Sequence, residues 1–158
     1  MIRIIGHLCE PEAVSQMRSM LKYSDLVKIS EEEIELMTDE FDYEKAAEAL
    51  LRQGVKIAVI TLGKLGAYVR TSDGGQIVKG FRNKALDATG AGDAFWGGFL
   101  YQFCRCGKLP DEVSVSEAAS FADFGNAVAS VCVESYGAIP AMPTMEQVAE
   151  KMQEERLE

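Results

Sequence analysis

The chain has 158 residues, of which 47% are hydrophobic and 26% are charged, a balance typical of one globular domain with a sizeable core. Its 25 acidic residues outnumber its 16 basic ones and give a formal net charge of −9, which opposes binding to nucleic acid or to an anionic membrane. No apolar run reaches the roughly 18 residues of a membrane span, and the start of the chain lacks the pattern of a signal peptide, so a cytoplasmic location is expected.

Helical and strand patterns alternate along the first part of the chain. Apolar residues at helical spacing predict an amphipathic helix over residues 10–23, and a short apolar run predicts a strand over residues 24–30. A second helix is predicted over residues 42–54, followed by a β-branched strand over residues 55–63. A helix between two strands predicts a right-handed crossover, so these strands should be parallel neighbours.

The rest of the chain continues the pattern of an α/β protein. The turn "SDGG" between two apolar segments predicts a β-hairpin over residues 66–81. Three helices should follow, over residues 93–106, 113–135 and 144–157. Strands alternating with helices predict an α/β fold with a mainly parallel sheet. Only the short segment "IRIIG" at residues 2–6 precedes the first helix, which suggests a piece of a larger sheet.

Histidine and cysteine usage excludes several kinds of site. The single histidine, His7, leaves no basis for a histidine-based catalytic triad or a histidine metal cluster. Cys104 and Cys106 form one C-x-C pair with no second pair to complete a zinc site. The four cysteines of the chain are therefore expected to be buried, reduced thiols.

A glycine-rich turn, "ATGAGDAF" over residues 88–95, leads into one of the predicted helices. Gly90 and Gly92 allow the backbone amides to point toward one place at the helix N-terminus, where the helix dipole adds roughly half a positive charge. Such a place favours a phosphate group. The turn is not a P-loop, which needs a lysine after the glycines, and a dinucleotide fingerprint needs a third glycine where Phe95 stands. Further along, Gly97 and Gly98 are expected to allow close packing against another helix.

Asp93, directly after these glycines, has two interpretations. It caps the start of the helix, an interaction worth about 1 kcal/mol. Alternatively, it faces the gap between a phosphate and an acceptor molecule and takes a proton from an attacking hydroxyl. Elsewhere, Glu33 follows Ser30 by three residues, which is the spacing of a capping box.

Four segments resemble, in order, the motifs of the PfkB (ribokinase-like) carbohydrate kinases. The segment "DATGAGDAFWGGFL" resembles the signature D-T-x-G-A-G-D, and "DLVKISEEE" resembles the family's K-x-N-x-x-E segment. The segment "VITLGKLGAY" resembles its T-x-G-x-x-G nucleotide strand and turn, and "SFADFGNAVASVCVESYGAIPAMPT" resembles its closing helix and adenine-covering loop. The likeness runs from about residue 10 to about residue 145, and "KISEEE" is most similar to the fructokinase branch.

The resemblance implies ATP-dependent phosphoryl transfer to a sugar hydroxyl. Asp93 would be the base that deprotonates the hydroxyl, and the amides of Gly90, Ala91, Gly92 and Asp93 would form an anion hole for the γ-phosphate. The family's motifs imply five nucleotide-binding residues: Ser30, Thr61, Gly63, Gly66 and Asn126. Of these, Ser30 would approach the phosphates, and Asn126 would lie near the adenine.

The resemblance also implies two kinds of metal ion. Glu33 would organise Mg²⁺ through water. Asp87 and Thr89 would correspond to ligands of a monovalent cation, usually K⁺. Backbone carbonyls near three later residues would complete that cation site: Cys132, Ser135 and Gly137. Two positions depart from the family pattern at this site, because Ala88 replaces a threonine and Ala141 stands where a serine often helps to bind the cation.

Members of the family run about twice this length, and their N-terminal half carries the first strands, a β-lid and the elements that hold the sugar. The resemblance therefore implies a partial three-layer ribokinase-like fold with a mainly parallel sheet, lacking the N-terminal strands and lid. Residues 1–158 would be the C-terminal nucleotide-binding and catalytic half of a sugar kinase domain. ATP and a small sugar would be the partners of the complete enzyme, and an exposed sheet edge would favour self-association.

Two alternatives to this kinase interpretation stay open. The chain could be an inactive nucleotide-binding fragment or an interaction partner, or an unrelated binding domain whose glycine turn matches by chance.

Overall fold

The structure, a computed structural model, describes residues 11–154 and residue 156. In this part of the chain the strands are β1 (Leu26–Ser30), β2 (Ile57–Thr61), β3 (Gly66–Thr71) and β4 (Gly74–Lys79). The helices are α1 (Pro11–Met20), α2 (Ile34–Thr38), α3 (Tyr43–Arg52), α4 (Ala91–Cys106), α5 (Val115–Cys132) and α6 (Met145–Lys151). None of the described helices is long and apolar enough to cross a membrane. The strand-like segment at residues 2–6 lies outside the described residues.

The four strands form one sheet in the order β1-β2-β3-β4. β1 and β2 are parallel, with Leu26 opposite Ile57 and Ser30 opposite Thr61, so the predicted parallel pair is confirmed. The other two pairings are antiparallel. The α/β fold class is confirmed, but the sheet of the described residues is mixed rather than mainly parallel. The reason is that the connections after β2 and β3 have only four and two residues, and parallel neighbours need a crossover of roughly a dozen residues or more.

Helices cover both faces of the sheet. Ala58 and Ile60 on β2 pack with the buried side chain of Leu50 on α3. Ile57 and Val59 on the same strand face the opposite layer, where α4 and α5 pack. Both sets are fully buried because successive side chains of a strand point to opposite faces. This explains why β2 is a continuous apolar run, as expected for a strand buried on both sides.

Small residues let α4 and α5 approach each other closely. A Cβ atom on Gly98 would lie 2.9 Å from Cγ2 of Val128 and 3.1 Å from Cα of Gly125. The close packing predicted for Gly98 therefore has a clear structural basis. The same explanation is wrong for Gly97, which is exposed and where a Cβ atom would have no atom of another described element within 4 Å.

The C-terminal helix is shorter than its sequence pattern predicts. It ends at Lys151 instead of continuing to residue 157. Thr144 caps its start, because its Oγ1 accepts the backbone N–H of Gln147 at 3.4 Å, and Oε1 of Gln147 accepts the Thr144 N–H in return at 2.8 Å. The helix is not polar all round: Val148 and Lys151 are buried, and Val148 packs with Phe124 of α5.

The described cysteines differ in exposure. Cys104, Cys106 and Cys132 are all free thiols. Only Cys132 is buried, whereas Cys104 is exposed on α4, so the expectation of buried thiols is wrong at that position. Cys9 lies outside the described residues.

The Asp87 carboxylate joins the segment before α4 to the turn after α5. Its Oδ1 accepts the backbone N–H of Thr89, and its Oδ2 accepts the backbone N–H of Gly137, each at 2.9 Å. The neighbouring N–H of Leu86 donates to the carbonyl of Val133 at 2.8 Å. The hydrogen bond from Gly137 and, to a smaller extent, those from Thr89 lower the pKa of the Asp87 carboxyl below its usual range. The start of α4 is thus fixed relative to the end of α5.

Replacing Asp87 by asparagine should lower thermal stability near neutral pH and have less effect in acid. Because the folded-state pKa lies below the unfolded value of about 3.9, the ionised carboxylate stabilises the fold above that pH. This stabilisation is lost as the pH falls through the folded-state pKa. Thermal denaturation of wild type and Asp87→Asn, followed by circular dichroism at several pH values from neutral to strongly acidic, measures the effect.

The exposed Asp111 provides the matched control, Asp111→Asn, which should differ little from wild type. A difference in melting temperature between wild type and Asp87→Asn that stays constant across this pH range would contradict the assignment.

Candidate functional site

A cavity of about 250 Å³ lies beside the carboxyl end of β2. Its walls come from the turn between β2 and β3, the segment between β4 and α4, the start of α4, and α5. Six of the residues predicted for the site line it: Thr61, Gly63, Gly66, Ala91, Gly92 and Asn126. The remaining predicted residues lie outside the lining: Ser30, Glu33, Asp87, Thr89, Gly90 and Asp93. Ligands of open α/β sheets bind at this edge, outside the carboxyl ends of the strands.

The turn between β2 and β3 requires glycine for a steric reason. Gly66 has φ +108°, and a Cβ atom there would lie 2.1 Å from the carbonyl oxygen of Val78 and 2.6 Å from the backbone nitrogen of Gly80. The turn therefore lies directly against the end of β4. This contact gives Gly66 a structural requirement in addition to its position in the cavity wall.

The start of α4 presents unpaired backbone amides. Gly90 precedes the helix with φ +81°, and the N–H groups of Gly90, Gly92 and Asp93 have no hydrogen-bond acceptor in the described part of the chain. The N–H of Ala91 differs, because it donates to the carbonyl of Ala88 at 3.1 Å. The predicted anion hole of four amides is therefore reduced to three free amides in this structure.

Lys28 adds a positive charge at the same place. Its neighbour Ile29 is buried in the layer of α1 to α3, so the alternation along β1 turns Lys28 to the opposite layer. A Cβ atom on Gly92 would lie 3.2 Å from Nζ of Lys28. Within the described residues, the half-buried Lys28 ammonium forms no ion pair or hydrogen bond. Sequence reasoning missed this residue, although it is the lysine of the "KISEEE" segment.

Asp93 lies at the third position of α4, with an exposed side chain. The N-cap position belongs to Gly90, and the Asp93 carboxylate accepts no hydrogen bond from the described residues. The interpretation of Asp93 as a helix cap is therefore wrong. The carboxylate is accessible at the positive end of the helix, one residue after Gly92.

Ser30 and Glu33 lie one strand away from the cavity. Ser30 is paired with Thr61, which lines the cavity, at the carboxyl ends of the two parallel strands. The backbone N–H of Ser30 donates to Oε2 of Glu33 at 2.8 Å, which is the carboxylate half of the predicted capping box. Oε1 of Glu33 has no hydrogen-bond partner among the described residues.

Asn126 is almost fully buried in the cavity wall. Its Nδ2 donates to the backbone carbonyls of Val78 at 3.2 Å and of Lys79 at 3.4 Å. Both hydrogens of the amide are thereby directed to β4, and Oδ1 is left as the group that accepts from another partner. Phe81 and Phe95 provide apolar surface in the same cavity.

Metal ligands are sparse in the described part of the chain. It contains no group of three or more histidine, cysteine, aspartate or glutamate residues that could hold a metal ion. Asp87 is held between two loops by the backbone N–H groups of Thr89 and Gly137. Each Asp87 oxygen retains a further lone pair, which leaves it able to bind a cation together with backbone carbonyls.

Comparison with known proteins gives these features a context. The sequence matches the family described as pfkB family carbohydrate kinase over residues 5–145. It is 34% identical over 136 residues to an uncharacterized sugar kinase of Archaeoglobus fulgidus, covering 82% of this chain and 48% of that protein. It is also 34% identical over 134 residues to probable fructokinase-5 of Arabidopsis thaliana, covering 84% of this chain and 40% of that protein.

A solved structure has the same fold. The fructokinase of Vibrio cholerae O395, in a form with fructose, ADP and calcium ion bound, superposes with a TM-score of 0.78 at 30% identity. The match covers 90% of this chain and 45% of the fructokinase. The chain thus spans less than half the length of the relatives it matches. The family match over residues 5–145, with the motifs in family order and the shared fold, shows that this chain belongs to the pfkB family of carbohydrate kinases.

Proposed function

We propose that the chain binds ATP in the cavity beside β2 and contributes the base for phosphoryl transfer to a sugar hydroxyl, as in a fructokinase. One observation carries this proposal. Three free amides lie at the start of α4, and the Lys28 ammonium lies beside one of them at Gly92, which lines the cavity. The cavity and its surroundings contain the features that a nucleoside triphosphate requires: positive charge for the phosphates and apolar walls for the adenine.

The electrostatics at Gly92 favour a bound anion. The helix N-terminus carries roughly half a positive charge, and an ammonium beside it has no compensating carboxylate partner in the described residues. Two unit charges of opposite sign 4 Å apart attract by about 4 kcal/mol at an effective dielectric constant of 20. This exceeds the roughly 1 kcal/mol typical of a charge beside a helix end alone. A phosphate therefore interacts with Lys28 more strongly than with the helix dipole.

The apolar part of the cavity suits a purine base. Phe81 and Phe95 supply apolar surface, and Oδ1 of Asn126 supplies an acceptor. An acceptor in this place complements the exocyclic amino group of adenine. Thr61, Gly63 and Gly66 would then lie along the nucleotide, and Ser30 would approach its phosphates from the neighbouring strand.

Asp93 is the proposed base. Its exposed carboxylate is one residue from Gly92, where the phosphates would bind, so it could accept a proton from a sugar hydroxyl on the open side. The free amides of Gly90, Gly92 and Asp93 would donate to the oxygens of the transferring phosphoryl group. The Ala91 amide would join them only if it released the carbonyl of Ala88.

Metal ions would assist from the edges of the site. Glu33 would hold Mg²⁺ through water, since Mg²⁺ keeps several waters and needs only one or two carboxylates beside the phosphates, whose negative charge it would neutralise. Asp87 and Thr89 would hold a monovalent cation such as K⁺. Asp87 remains ionised down to low pH, which favours binding of a cation.

A second function is favoured by the coverage of the relatives. The chain spans 48% and 40% of the two curated relatives described above, so the alternative is a chain that binds nucleotide without catalysing transfer, or that acts as an interaction partner. Both functions share the nucleotide site and differ in sugar-dependent turnover.

Lys28→Met should weaken binding of a non-hydrolysable ATP analogue by about 10- to 100-fold, because a hydrogen bond to a charged group contributes about 1.5–3 kcal/mol. Binding of adenosine, which has no phosphate, should be unchanged. Titration calorimetry measures both affinities, and NMR shift changes on ligand addition should include the amides of Gly63, Gly66 and Gly92.

The control is Lys56→Met, since Lys56 is exposed before β2, at the opposite end of the strand. Shift changes confined to the β3–β4 turn, or equal losses for both ligands, would contradict the placement.

Asp93→Asn should reduce turnover by about 10² to 10⁴ in a longer form of the protein that phosphorylates a sugar, since that is the usual contribution of a general base. The dissociation constant of the ATP analogue should change little, because the asparagine leaves the free amides and Lys28 in place. Steady-state kinetics and titration calorimetry test the two parts separately. Near-normal turnover of Asp93→Asn would end its assignment as the base.

The 158-residue chain alone should show no sugar-dependent turnover near 1 s⁻¹, the low end of ordinary enzymes. Correct positioning of the reactants is worth about 7–11 kcal/mol, and this structure shows no site that orients a sugar against Asp93. The measurement is a coupled ADP-release assay with fructose or ribose, ATP, Mg²⁺ and K⁺. Turnover at or above that rate would contradict this expectation and exclude the inactive-fragment alternative.

A further inference from the structure

The segment of residues 81–84, two of which line the cavity, is held by contacts with α5, with the turn after it, or with the C-terminal end of the described chain. Phe81 and Asn83 line the cavity, and Phe81 is 2% exposed. The guanidinium carbon of Arg156 lies 3.6 Å from the centre of the Phe81 ring. The backbones of the same two residues form an isolated antiparallel bridge. Asn83 donates from Nδ2 to Oγ of Ser130 on α5 at 3.1 Å.

Arg156 is fixed against α5 by an ion pair. Its Nη2 donates to Oδ2 of Asp123 at 2.8 Å. Its Nη1 is buried and has no acceptor among the described residues. The Arg156 side chain is one third exposed, but its buried Nη1 is stabilised by the Phe81 ring and not by a hydrogen bond to the described residues. The contact with Phe81 is therefore a specific one.

Lys151 holds Arg82 and, through Glu134, Lys84, which alternate in this segment with the cavity-lining Phe81 and Asn83. The lysine is 5% exposed, and its Nζ donates to the carbonyl of Arg82 and to Oε2 of Glu154, each at 2.8 Å. It also contacts Oε1 of Glu134 at 3.3 Å, and that same oxygen accepts the backbone N–H of Lys84 at 3.3 Å. Glu134 therefore connects the buried lysine to the wall a second time.

Burial of Lys151 would lower its pKa, but the hydrogen bonds with Glu154 and Glu134 outweigh burial and raise the pKa above its usual value. The buried ammonium therefore remains charged. A lysine that only anchored the end of α6 could reach solvent with its ammonium, as lysines usually do. Instead, Lys151 and Arg156 are both directed to a short segment without regular secondary structure.

We infer that Lys151 and Arg156 are positioning residues for the nucleotide cavity, and that through them the C-terminal segment holds Phe81 and Asn83 in the wall that contacts the base. The inference rests on the proposed nucleotide binding. Neither residue is among those that line the cavity, so their effect on the ligand passes through residues 81–84. Removing either side chain should weaken binding of the adenine base and leave the phosphate contacts at Gly92 intact.

The first test compares two arginine–aromatic pairs of the same chain. Arg156→Ala should weaken binding of both adenosine and the ATP analogue by about 5- to 10-fold, the range expected for loss of a partly exposed cation–π contact. Arg156→Lys, which retains a cation near the ring, should recover part of the affinity. The matched control is Arg105→Ala, because Arg105 lies 5.5 Å from the Tyr101 ring on α4 and does not line the cavity. It should leave both affinities unchanged.

Thermal denaturation of the same variants distinguishes positioning from general stability. If Arg156→Ala and Arg105→Ala lower the melting temperature by similar amounts and only Arg156→Ala weakens adenosine binding, the positioning role is supported. A loss of affinity for the ATP analogue without a loss for adenosine would overturn the inference, because it would place the effect at the phosphates.

The second test needs no nucleotide. Lys151→Met should speed hydrogen exchange of the Lys84 amide relative to amides of β2, because Glu134 loses the charge that holds it against that N–H group. The control, Lys108→Met, removes the exposed ion pair of Lys108 with Glu117 and should not change exchange at Lys84. If Lys151→Met does not fold, exchange at Lys84 is measured in Arg156→Ala, where the bridge beside it is weakened.

The two tests separate failure of the inference from failure of the proposed function. Unchanged exchange at Lys84 together with unchanged adenosine affinity would overturn the positioning role while nucleotide binding by the wild type stands. A wild-type chain that binds neither adenosine nor the ATP analogue would overturn the proposed function, and the role of these residues in nucleotide binding with it, even if exchange at Lys84 increased.

Discussion

The close contact between α4 and α5 at Gly98 is the constraint on which the geometry of the site depends. α5 lies on the sheet and carries Asn126 in the cavity wall, while the first turn of α4 carries Gly92 and the exposed Asp93. The distance between two packed helices is set by the side chains at their contact. With Gly125 and Val128 against Gly98, any larger residue there would push α4 away and widen the cavity. The same helix packing therefore positions Asn126, which would contact the adenine, and the free amides of α4, which would contact the phosphates.

The segment between β4 and α4 obtains its shape from contacts with other parts of the chain. It has no long regular element of its own, yet it supplies much of the cavity wall. Asp87 ties its end to the turn after α5, while Lys151 and Arg156 hold its beginning. The C-terminal half of α5 and the residues after it thus act as the support for this wall. A change at Lys151 or Arg156 therefore reaches the site from residues that do not line the cavity.

Local and overall charge differ in sign at the site. The chain carries a net charge of −9, yet free amides and the Lys28 ammonium meet at Gly92. A short-range arrangement of this kind decides where a phosphate binds, because exposed charges farther away than about 8 Å are largely screened at physiological ionic strength. A negative net charge opposes binding of polyanions in general, but it does not prevent a small anion from binding in a cavity that has local positive charge.

The sequence by itself determined the features that depend on neighbouring residues. The apolar run of β2, the crossover through α3 and the hairpin turn after β3 are local patterns, and each formed the predicted pairing. The glycine turn before α4 could also be predicted, since only glycine adopts the φ of +81° at Gly90 without strain. The family motifs added the candidate residues, and the tertiary structure brought six of them together in one cavity.

Only the tertiary structure decided what depends on distant parts of the chain. The position of the Lys28 ammonium beside Gly92 depends on how β1 packs against the start of α4, more than 60 residues later. The roles of Lys151 and Arg156 arise from contacts that reach back about 70 residues in sequence or more, to Arg82 and Phe81. No periodicity in the sequence records such contacts, because they form only once α5 and the end of the chain have packed against the sheet.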